Sequence, residues 1–167
     1  MSILKVDTIN EKTTGNGVHI AGHVVQTVST RFNTLFIIAS TSFTTIGSLS
    51  ITPKFSNSKI FISTVNHVYV QSGTAAQWKV ANAKLLRDST AILQDNATGY
   101  GVGAFATDGP DRFMQSDVMQ FVDTPSTTSS VTYSIQYNKR DTNVTGIQVN
   151  NGVYGRQGFM LLQEIAQ

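Results

Sequence analysis

The chain has 167 residues, of which 40% are hydrophobic and only 13% charged, with a formal net charge of +2 and no cysteine. That length is served by one domain core, and the missing thiols exclude disulfides, thiolate metal sites and cysteine nucleophiles together. A nucleic-acid surface is excluded too, since it shows as a basic stripe with interleaved aromatics, whereas here only Lys139 and Arg140 are adjacent among scattered bases.

The first 26 residues read as two short apolar-alternating strands joined by a Lys-Thr-Thr-Gly-Asn-Gly turn. A lone two-stranded ribbon is marginal in water. Residues 1–26 are therefore expected to form an anchor or intersubunit ribbon that lays Leu4, Val6, Ile9, Val18, Ile20 and Val24 on a partner surface, with a sandwich domain over residues 27–167. Strand-like segments follow at 24–31, 35–39, 48–52, 59–70, 78–87, 91–94, 118–123, 131–138, 145–149 and 159–165. Between them lie clusters of Ser, Thr, Gly, Asn and Pro, at spacings that suit a sandwich or barrel. The stretch 75–86 has tolerable helix propensity, but the β context on both sides favours a strand.

In 60–70, Ile60, Ile62, Thr64, Asn66, Val68 and Val70 share one face, while Phe61, Ser63, Val65, His67 and Tyr69 share the other. Both faces are partly apolar. This pattern is expected of a central strand covered by a second sheet on one side and by an oligomer partner on the other. The fold class expected is all-β: an antiparallel β-sandwich of jelly-roll type, preceded by the ribbon and assembled as a homotrimer.

The stretch Leu4-Lys5-Val6-Asp7-Thr8-Ile9, with Thr14-Gly15-Asn16-Gly17-Val18-His19-Ile20 and Gly22-His23-Val24-Val25-Gln26, resembles the start of bacteriophage tail-fibre and virion structural proteins, especially those of cyanophages. The likeness continues through residues 50–60, Leu86-Arg87-Asp88-Ser89-Thr90, residues 123–128 and the terminal Leu161-Leu162-Gln163-Glu164-Ile165-Ala166. The resemblance implies a trimeric jelly-roll module on the outside of a phage particle, located in the virion and partnered by other virion proteins of tail or capsid. It carries over no functional residues. No repetitive shaft precedes the β-rich body, so a capsid decoration (cement) protein stands as the alternative to a short tail fibre.

Little in the sequence argues for catalysis. His19, His23 and His67 are the only imidazoles, there is no Gly-x-Ser-x-Gly elbow, and no triad can be assembled from the spacing. His19 and His23 fall on one face of a strand but about 13 Å apart, too far for one chain to chelate an ion between them. The one tight acidic cluster, Asp108-Gly109-Pro110-Asp111, is turn chemistry before it is a glycosidase pair. No cofactor or metal site is expected.

Binding through exposed loops is the activity that suits a rigid sandwich. The candidate ligand-binding residues are Trp78, Tyr100 and Tyr154, aromatics beside polar or glycine-rich segments, with Asp108, Asp111 and Arg112. Aromatic rings can stack on a sugar while the charged groups bond its hydroxyls, so a host-surface glycan is the expected ligand. No basic apolar leader opens the chain, and the longest apolar run, 35–39, is far short of the roughly 20 residues of a membrane-spanning helix.

Overall fold

The alternation in the sequence becomes a ladder in the computed structural model, which describes residues 6, 8–10, 15, 17–72, 77–94, 100–106, 112–140, 144–150 and 155–167. Its strands are β1 (Val24–Phe32), β2 (Phe36–Ile38), β3 (Thr44–Ile51), β4 (Lys59–Ser72), β5 (Gln77–Arg87), β6 (Thr90–Leu93), β7 (Tyr100–Ala106), β8 (Arg112–Asp123), β9 (Val131–Lys139), β10 (Val144–Val149) and β11 (Gly158–Ile165). There is no helix among the described residues.

The strands form two antiparallel sheets. In one, β1 pairs with β11, β11 with β4, and β4 with β8 on its other side; in the second the order is β3-β9-β5, with β6 and β7 both along β5. With the short β2 and β10 set aside and β6 and β7 counted as one broken strand, the orders are first-eighth-third-sixth and second-seventh-fourth-fifth. That is the double Greek key of a jelly roll.

β4 organises the first sheet because its length is shared between two neighbours on one side. β11 pairs with Lys59 to Val65, and β10 takes over from Val68. At the gap Asn150, held at φ 55°, stands in for a strand: its N–H donates to His67 O at 3.0 Å and its Oδ1 accepts from His67 N–H at 3.1 Å. Its Nδ2 donates to Asn66 Oδ1 at 2.9 Å. Gly158 is required beside this cluster, since a Cβ there would lie 2.3 Å from Asn150 Nδ2.

The core sits between the sheets. Ile60, Ile62, Val68 and Val70 of β4 face Tyr133, Ile135 and Tyr137 of β9 and Ala83 and Leu85 of β5, with Met160 and Leu162 from β11. The described part of stretch 75–86, from Gln77 on, is a strand, not a helix: β5 opens at Gln77 and pairs on both sides, with β9 and with β7.

Among the described residues regular pairing begins at Val24, residues 8–10 and 17–20 are irregular, and much of the rest of the expected ribbon lies outside the described residues. The expected second strand of the ribbon survives only as Val24, Val25 and Gln26, which open β1 and so cross the boundary placed after residue 26. The glycines at 101 and 103 do not interrupt pairing: Tyr100–Ala106 is β7 and pairs with Gln77–Ala83. Glycine weakens a strand's side-chain signal but leaves its backbone donors and acceptors intact.

Candidate interaction surface

The first sheet has an unusual polarity. Antiparallel sheets with one wet face ordinarily place apolar groups inward and polar groups outward. Here the inward positions carry, among the apolar core residues, Asp117 and Asp123 of β8, Glu164 of β11, and Thr64 and Asn66 of β4, all buried. The outward positions of the same strands carry Met114, Val118 and Val122 on β8, Phe61, Val65 and Tyr69 on β4, and Phe159 and Leu161 on β11. Met114, Val118 and Val122 are 49%, 56% and 49% exposed, and no described element covers the face.

Each inward acid is satisfied. The Tyr133 hydroxyl, reaching from β9 in the opposite sheet, donates to Asp123 Oδ2 at 2.8 Å, and Arg87 Nη1 bonds both oxygens of that carboxylate at 3.0 and 2.9 Å. The Tyr137 hydroxyl donates to Asp117 in the same way. Burial, and then the hydrogen bond to Asp123, raise the Tyr133 pKa far above the ordinary tyrosine value. Glu164 accepts from Gln26 Nε2 at 2.6 Å and from the N–H groups of Lys54 and Phe55 at 2.8 and 3.1 Å. These acids therefore hold the sandwich together: two latch β8 to the opposite sheet, and the third ties β11 to β1 and to the turn after β3. Buried polar groups of this kind persist because they are bonded.

The opening segment lies outside the core. Val6, Ile9, Ile20 and Val24 are exposed and Val18 is half-buried, while Leu4 lies outside the described residues. The segment is held near the C-terminus by Gly22 N–H to Ala166 O at 2.8 Å and Ala166 N–H to His23 O at 3.0 Å. His19 packs edge-on against Phe55, ring centroids 4.7 Å apart.

Of the residues expected to bind a ligand, Asp108, Asp111 and Tyr154 lie outside the described residues. Trp78 is on β5 opposite Phe105, Tyr100 is on β7 opposite Ala83, and Arg112 opens β8 opposite Gln71. Trp78 and Tyr100 thus belong to paired strands rather than to loops. His67 is a strand histidine whose Nδ1 lies 3.0 Å from Ser116 Oγ, as the spacing suggested. Among the described residues no group of three His, Cys, Asp or Glu is placed to hold a metal.

Sequence reasoning overlooked a hollow of about 210 Å³ on the outer side of the first sheet, lined by Ile37, Tyr69, Gln71, Thr145, Gly146 and Gln148. It forms where the β10 ladder slips one residue between Val144 and Gly146 and a glycine leaves the space open. A bulge beside a glycine is the signal that could have found it.

No protein-family model matches the chain, and no curated protein is similar to it at a significant level. Among solved structures it is similar to a chain of infectious bursal disease virus, Gx strain, at 12% identity and a TM-score of 0.39, covering 96% of this chain and 42% of that one. The Gt strain of the same virus gives 11% identity and a TM-score of 0.33, covering 98% and 43%. A VP2 protein of that virus in derived T=1 particles gives 12% identity and a TM-score of 0.32, covering 98% and 41%. This chain spans less than half the length of the solved proteins it matches, and likenesses this loose do not carry function.

Proposed function

We propose that this chain is a non-enzymatic structural protein on the exterior of a bacteriophage particle, assembled as a homotrimer. The observation that carries the reading is the opening segment: Val6, Ile9, Ile20 and Val24 stand exposed outside a jelly roll whose own core is complete without them. Apolar side chains left exposed outside a closed core mark a contact surface, and attachment to a neighbouring virion protein or subunit supplies the cover. The sequence resemblance to phage tail-fibre and virion proteins supports the same reading.

The leading role is a short tail-fibre or receptor-binding module for a host-surface glycan. The hollow beside Tyr69 supports it, since an aromatic ring flanked by the amides of Gln71 and Gln148 suits one ring of a neutral sugar. The second reading is a trimeric capsid decoration protein, favoured by the same opening segment acting as the contact with the head. Immunogold labelling of purified particles with an antibody to the sandwich tests both. Gold at the tail tip is the expected result, gold over the whole head selects decoration, and particles without gold overturn the proposal.

A further inference from the structure

The first sheet buries its acids yet carries a second set of apolar residues on its outer side, and we infer that this outer face is the surface through which copies of this chain pack on one another. Three strands form the face: β8, β4 and β11. Every carboxylate described on these strands, Asp117, Asp123 and Glu164, is buried on the inner side, while Phe61, Val65, Leu161, Val118 and Val122 point outward. A sheet whose outer face meets water carries polar groups there instead.

The chemistry of the face identifies its occupant. Between the apolar side chains stand Ser63, His67, Ser116, Gln120 and Gln163, each able to donate and to accept a hydrogen bond. The described cationic side chains of this sheet, Lys59 and Arg31, stand at its margins, one at the start of β4 and one on β1. Among the described side chains between these margins no charge stands to select an acidic or basic partner. An identical face matches the polar row, because each of these groups can donate to or accept from its own kind.

Size and edge agree with this. β8 has 12 residues along β4, so three strands offer a flat area on the order of 600 Å², before side-chain relief, from the usual rise and strand spacing. A stable interface buries about 800 Å² per partner, which this face approaches with its neighbouring strands. The far edge of β8 has no partner strand among the described residues, and from Met114 to Val122 it carries no Lys or Pro. Edges left free in solution are ordinarily guarded by such residues. Three copies turning this face toward a common axis cover the apolar side chains and protect the edge at once.

The inference deepens the assembly reading above and rests on it, and one experiment separates their failures. Light scattering on the full chain at micromolar concentration is compared with Val118→Lys/Val122→Lys and, as a control on the outer side of β3 in the opposite sheet, Ser48→Lys. Wild type and S48K should both run at three times the 18.1 kDa chain mass. The double variant should run at one chain mass with unchanged far-ultraviolet circular dichroism, because both positions are exposed in the isolated subunit. If the double variant fails to fold, Gln120→Lys alone, at an exposed polar position on the same row, should weaken association at least tenfold. A wild type of single-chain mass overturns both readings. A folded variant that keeps the wild-type mass overturns this face and leaves the assembly reading standing.

Discussion

Replacing Tyr133 by phenylalanine removes one oxygen from the middle of the sandwich and leaves the ring in place. The hydroxyl donates to Asp123 Oδ2 at 2.8 Å, and with the Tyr137 hydroxyl on Asp117 it joins β9 of one sheet to β8 of the other. A hydrogen bond to a charged acceptor contributes about 1.5–3 kcal/mol. Arg87 still holds both carboxylate oxygens in the variant, so the loss should fall in the lower half of that range. For a domain of this size about 2 kcal/mol lowers the melting temperature by roughly 4–8 °C.

The pH dependence gives a second reading of the same bond. Burial and Asp123 hold the Tyr133 pKa in the folded chain well above the ordinary value of 10.0. Below pH 10 both folded and unfolded chains keep this proton, and the group adds no pH dependence. Above pH 10 the unfolded chain releases it while the folded chain retains it, so stability falls by about 1.4 kcal/mol per pH unit on this account. Calorimetry at pH 7 and pH 11 should therefore show Tyr133→Phe less stable at neutral pH and less sensitive to alkali than wild type. A variant within about 0.5 kcal/mol of wild type at pH 7, with the same alkaline slope, would refute the latch.

Three further outcomes follow from the packing. Gly158→Ala places a Cβ 2.3 Å from Asn150 Nδ2 and 2.7 Å from Asn66 Oδ1. It should cost about 1–3 kcal/mol by overpacking, read as a lowered urea midpoint with an unchanged slope. Glu164→Ala strips the acceptor from Gln26 Nε2 and from the N–H groups of Lys54 and Phe55. It should cost at least about 3 kcal/mol, since unpaired donors add to the lost bonds, and hydrogen exchange should rise at Lys54 and Phe55. Deleting residues 1–22 should leave the sandwich's circular dichroism unchanged and weaken its attachment to particles in a co-sedimentation assay; equal co-sedimentation would make the segment an appendage.

The sandwich was legible because its strands alternate over long runs. Residues 60–70 showed two faces in the sequence and 131–138 a strand-like run, and both became ladder strands with one face in the core. The mixed outward face of β4 was legible as well, since Phe61, Val65 and Tyr69 interrupt what a wet strand would carry. Other features were not. β7 lost its signal to Gly101 and Gly103, and the first half of β8 was hidden because an acid, Asp117, stands at an inward position and is buried against Tyr137. That pairing joins positions 20 apart in the chain, and no local pattern encodes it. The opening segment was over-read in the opposite way, with alternation at Val18, Ile20 and Val24 taken for pairing although only Val24 lies in a strand.

The central claim, a structural protein on the outside of a particle, is tested most directly by counting. Quantitative mass spectrometry of purified particles gives the copy number of this chain relative to the major capsid protein. The account predicts that the chain is present, in a small multiple of three for a tail fibre or at a ratio approaching the capsid lattice for a decoration protein. Purified, infectious particles that contain none of it would contradict the account.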